Sequence, residues 1–223
     1  MDDETTINLL EAMNHSNNGV RLVELGRHAE ARKFLQSSID LIDRYLSGDE
    51  AFQSEHHDIT DFFMWSEPFN LASDKAIHAF IYRAAVVFNE PRDLTLPLPR
   101  NWIRPISIAI TFNMALHLHI VGLWKLSAQD AERAIALYTV ALRGCSDNTN
   151  PMLRVVIMNN LGVLHYTEFV DYASARSCFV QLWDYLLLLQ GGGRYERYIL
   201  PEIRNHLNMN MVLLVPPSAA AGA

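Results

Sequence analysis

Three copies of one spacing constrain this chain more than any other feature. Ala31, Leu35 and Ser38 stand at steps of four and three, and so do Ala134, Tyr138 and Ala141, and again Ala175, Phe179 and Leu182. Steps of four and three bring side chains onto one face of an α-helix. Each set starts on Ala, which lets a second helix approach closely, and continues with a larger residue that fills the space beside it. A small residue stands upstream of each: Gly19 is twelve residues before Ala31 and Gly162 thirteen before Ala175, with Ala115 in the corresponding place of the middle copy. One spacing found three times is an internal repeat.

The flanking stripes agree. Val20 and Val23 precede Gly26, and Leu35, Ile39 and Ile42 follow it. Ile110, Met114, Ala115, Leu118 and Val121 precede "KLSAQD"; Val155, Met158, Leu161 and Leu164 precede "TEFVDY". Gly26 suits a helix end, because it tolerates the left-handed backbone that closes helices. Ser127 with Asp130 three residues on reads as a helix-start cap. The chain therefore reads as paired helices.

The pattern resembles the tetratricopeptide family, whose motif places a small residue in a first helix and Ala-x-x-x-Phe in a second. "NNLGVLHYTEFVDYASARSCF" (159–179) carries the resemblance best, and "NNGVRLVELGRHAEARKFL" follows it well. "FNMALHLHIVGLWKLSAQDAERAIALYTVAL" is looser, with about seven extra residues before Ala134. The family's Trp in each first helix and its Pro after each second helix are missing. The resemblance covers residues 5–47 and 103–190. It implies an all-α fold: a short right-handed superhelix of three tetratricopeptide-like helical hairpins (5–47, 103–144, 150–190) plus a capping C-terminal helix (195–214), as one domain over 1–215. The implied function is non-catalytic binding of a protein or peptide on the concave face.

Asn17, Asn113 and Asn160 each lie two residues before the small residue of a first helix. In some tetratricopeptide proteins an Asn at this place grips a peptide backbone, so the resemblance implies a peptide-binding ladder of these three, with His119 and Tyr166 sharing the inner face. On that reading, replacing Asn113 or Asn160 by Ala weakens capture of a partner and leaves thermal stability nearly intact. The alternative is that each Asn bonds its neighbouring helix. The first helices of the second and third pairs offer little basic lining besides Arg154, which argues against capture of an acidic C-terminal peptide there.

Residues 48–102 fit no repeat. "TDFFMWSEPFNL" and "AIHAFIYRAAVVFNEP" are aromatic and β-branched runs bounded by Pro, Asn and Ser, and read as a small β-hairpin or an irregular insertion. "PRDLTLPLPRNW" reads as an extended connector. Gly191 to Gly193 ends the third pair, Ile199, Ile203, Leu207 and Met211 suggest the capping helix, and 216–223 read as a disordered tail.

Charge narrows the partner. The chain has 223 residues, half of them hydrophobic, and a net charge of −7 with no cluster of Lys and Arg. Nucleic acid and anionic membrane are poor partners for it; a cationic or apolar protein surface fits better. "MDDETT" lacks the basic and apolar regions of a signal peptide, and Cys145 and Cys178 read as reduced, buried thiols, so the expected location is the cytoplasm, with the nucleus open. The uncharged run 105–124 has the length of a bilayer crossing, which keeps a membrane-associated reading in view. Asn113, His117 and His119 fall in its middle and would need partners in hydrocarbon, whereas a helix buried on all sides looks the same.

Chemistry is sparse. "EHHDITD" groups Glu55, His56, His57 and Asp58, but adjacent residues point apart and a solvated loop is the simpler reading than a metal site. His117 and His119 diverge by about 200° on a helix, so they cannot chelate one ion. "QGGGRYER" lacks the Lys and Ser or Thr of a phosphate loop, and no Gly-x-Ser-x-Gly elbow occurs. No catalytic residue, cofactor or metal is therefore expected. The competing reading is a soluble enzyme or regulatory domain built from the insertion with His56, His57, His119 and His165 around one cavity.

Overall fold

In the computed structural model of the chain, the described residues are 3–46, 63–66, 68–69, 81–89, 102–146, 150–191 and 201–214. They form seven helices and one two-stranded sheet: α1 (Asp3–Glu24), α2 (His28–Leu46), β1 (Phe63–Trp65), β2 (Val86–Phe88), α3 (Ile103–Lys125), α4 (Ala128–Gly144), α5 (Pro151–Thr167), α6 (Tyr172–Gly191) and α7 (Pro201–Leu214). The all-α class expected from the periodicity holds. The chain divides into two compact units: Met1–Leu71 with Arg83–Asn150, and Ala72–Tyr82 with Pro151–Ala223.

In the first unit α1 packs on α2 and α3 on α4, while α3 also meets α1, α2 and β2. That central position explains why its sequence is so apolar: every residue from Phe112 to Gly122 is buried, on all faces of the helix. α3 is long and apolar enough to cross a membrane by length and composition, and 83% of its most apolar window is buried within the protein, as in a core helix. Ser127 caps α4 by accepting from the Asp130 N–H, as the spacing predicted. β1 and β2 pair antiparallel, Phe63 opposite Phe88 and Trp65 opposite Val86.

In the second unit α5 packs on α6, and α7 packs on both. Ile203 and Leu207 of α7 are buried, as expected of a covering helix. The expected residues 195–200 of that helix and the tail 216–223 lie outside the described residues, as does most of the insertion 48–102, including Glu55 to Asp58.

The repeated small residues do the packing work that their spacing suggested. A Cβ on Gly19 would stand 2.6 Å from Leu35 Cγ, and one on Gly162 2.9 Å from Phe179 Cζ. Both Leu35 and Phe179 are buried in their helix-pair interfaces. Each turn within a pair is closed by one residue with left-handed backbone: Gly26 (φ 70°), Leu126 (φ 53°) and Val170 (φ 53°). Only the first is Gly, so the sequence signal for this turn was visible once and hidden twice.

Candidate functional site: asparagine carboxamides on an extended segment

An Asn side chain carries one carbonyl acceptor and an amide donor, the same pair of groups that a backbone residue presents to a neighbouring strand. In the first unit two of the expected Asn residues use both groups on one residue each. The Val86 N–H donates to Asn113 Oδ1 at 2.8 Å, and Asn113 Nδ2 donates to the Val86 carbonyl at 2.7 Å. The Phe88 N–H donates to Asn17 Oδ1 at 2.9 Å, and Asn17 Nδ2 returns a bond to the Phe88 carbonyl at 2.9 Å. Asn113 is 2% exposed, and its Nδ2 also donates to Ser16 Oγ on α1 at 3.0 Å.

The opposite edge of the same segment is held by β1 and the residues after it. The Ala85 N–H donates to Ser66 Oγ at 3.0 Å, the Ser66 N–H to the Ala85 carbonyl at 2.8 Å, and the Phe69 N–H to the Arg83 carbonyl at 3.2 Å. In an extended chain, both groups of one residue face one edge and both groups of the next face the other. The alternation here follows that rule: Val86 and Phe88 face the helices, while Arg83 and Ala85 face the β1 side. Asn17 and Asn113 thus stand where the next strand of a sheet would be.

In the second unit, the Tyr82 N–H donates to Asn160 Oδ1 at 2.8 Å and Asn160 Nδ2 donates to the Tyr82 carbonyl at 2.8 Å. Asn159 Nδ2 donates to Asn160 Oδ1 at 3.2 Å, and Asn210 Nδ2 of α7 donates to Asn159 Oδ1 at 2.7 Å. These amides are all buried, with Asn159 and Asn160 at 0%.

All three Asn residues therefore grip both backbone groups of one residue, and in each case the backbone is the chain's own, at Tyr82, Val86 and Phe88. Asn113 also bonds a neighbouring helix, through Ser16 of α1. Ser16, Ser66, Asn159 and Asn210 were not singled out from the sequence. Their bonds to Ala85, Asn113 and one another span 19 to 97 residues, so little that is local marks them.

His119 does not line an open surface. It is 0% exposed, with Nδ1 3.4 Å from Tyr138 Oη and a buried Nε2 that has no hydrogen-bond partner among the described residues. Burial lowers its pKa to about 3. His117 stacks on His28 at 5.6 Å between ring centroids, and desolvation, helped by the neighbouring His28, lowers its pKa to about 4. In the second unit, desolvation lowers the pKa of His165 against the pull of Asp171, and Tyr166 packs edge-on to Tyr172 at 5.2 Å. Cys145 and Cys178 are free thiols, and burial pushes the Cys178 thiol up to about 11, the direction of an unreactive thiol. Among the described residues no group of three or more His, Cys, Asp and Glu side chains is placed to hold a metal ion.

No protein-family model matches the chain, and no curated protein or solved structure matches it.

Proposed function

We propose that this chain is a non-catalytic binding scaffold of the cytoplasm or nucleus, a short right-handed superhelix of degenerate tetratricopeptide-like helical pairs that recognises an extended segment of a partner protein by its backbone. The observation that supports this reading is the two-way bond between Asn113 and Val86. A carboxamide that satisfies the N–H and C=O of one residue reads strand geometry and ignores the side chain, so one site can serve many sequences. The segment that fills the site is the chain's own, and a partner segment would take its place by exchange. Within the segment Ala84, Ala85, Val86 and Phe88 are buried, which predicts a partner segment of small and β-branched residues ending in an aromatic one.

The test uses the full chain and a labelled synthetic peptide of residues 83–89. Val86→Pro removes the N–H that Asn113 accepts and so weakens the internal occupant. Fluorescence anisotropy should show saturable peptide binding to the folded Val86→Pro protein, at least tenfold tighter than to the unaltered chain. Adding Asn113→Asp should abolish it. A folded Val86→Pro protein that captures no peptide would end this reading.

A further inference from the structure

A cleft of about 760 Å³ opens in the first unit between α2 and α4. Its floor is apolar: Met114 and Leu118 of α3 are buried at the bottom, and Leu137 of α4 stands beside them. Its walls are basic. Arg32 and Lys33 line it from α2 and Arg133 from α4, and no carboxylate shares the lining. This reverses the sign of a chain whose net charge is −7. The Arg32 guanidinium is held by Asp130, which leaves Lys33 and Arg133 as exposed cations without an ion-pair partner among the described residues.

Two unpaired cations on opposite walls over an apolar floor suit one kind of ligand. An anionic head satisfies the cations, and an attached apolar body covers the floor, which water wets poorly. The lining runs from Arg32 to Ser37 on α2 and from Arg133 to Leu137 on α4, little more than one helical turn, about 6–8 Å. That is too short to seat a partner helix. The volume falls within the roughly 300–1,000 Å³ of small-molecule sites.

We infer that this cleft binds a small amphiphilic anion, a carboxylate or phosphate head on a short apolar body. It is distinct from the Asn113 site and does not depend on the proposed peptide binding. Both cations are exposed, so Lys33→Gln and Arg133→Gln leave the core intact.

Octanoate, octyl phosphate, octanol and acetate are titrated into the isotope-labelled full chain and followed by amide chemical shifts. Saturable shifts are expected for octanoate or octyl phosphate, confined to residues 32–37, 114–118 and 133–137. The stronger of the two identifies the preferred head group. Octanol and acetate should bind at least tenfold more weakly, because each lacks one half of the ligand. Lys33→Gln with Arg133→Gln should weaken the anion at least tenfold at unchanged thermal stability. Equal responses to octanoate and octanol, shifts mapped elsewhere, or an unaltered affinity in the double variant would each overturn the proposal.

Discussion

Asn113 holds both backbone groups of Val86, accepting from its N–H at 2.8 Å and donating to its carbonyl at 2.7 Å. Both residues are buried, so water cannot replace either bond. Removing the carboxamide leaves two buried backbone groups unpaired, each costing about 1–3 kcal/mol. Asn113→Ala is therefore expected to lower stability by about 3 kcal/mol in denaturant titrations. Asn17→Ala, whose bonds are only partly buried, should cost less. Hydrogen exchange at the Val86 amide should accelerate in the Asn113 variant. This reverses the sequence-based expectation that the substitution spares stability, because the partner is the protein's own strand.

Gly162 sits against the ring of Phe179, and an added methyl would stand 2.9 Å from Cζ and 3.0 Å from Cε1. Phe179 is 1% exposed and has no room to swing aside. Overpacking of this kind costs about 1–3 kcal/mol, against about 1 kcal/mol gained by Ala over Gly within a helix. Gly162→Ala should destabilise by about 1 kcal/mol. Pairing it with Phe179→Leu should recover part of that loss, which a double-mutant cycle would measure.

His119 and His117 stay neutral in the fold, taking up protons only near pH 3 and pH 4. In the unfolded chain a histidine protonates near 6.5, so below that pH the unfolded state binds more protons. Their contribution is fully present above pH 6.5 and is lost as pH falls toward 4 and then 3. His119 alone should account for about 2 kcal/mol between pH 7 and 5. Urea titrations at both pH values should show that difference shrink in His119→Phe.

Val170 closes the turn between α5 and α6 with φ 53°, a conformation that crowds a β-branched side chain. The residue is 58% exposed, so little packing is lost on replacing it. Val170→Asn should raise stability by about 1 kcal/mol, since Asn tolerates this backbone. A thermal melt that falls instead would show that the side chain, and not the backbone, governs the turn.

The sequence by itself determined what depends on near neighbours. Steps of three and four placed Ala31, Leu35 and Ser38 on one helix face, as they did for the other two sets. The small residues Gly19 and Gly162 announced close helix contacts. Ser127 and Gly26 marked a helix start and a helix end, because caps and left-handed turns involve residues only a few apart. It also drew three Asn residues out of the chain by their shared place before a small residue. The tertiary structure alone decided what those amides hold. Tyr82 lies 78 residues from Asn160, Phe88 71 from Asn17 and Val86 27 from Asn113. No local periodicity encodes such a pairing. It arises because a buried amide and a buried strand edge each lack a partner until the fold brings them together.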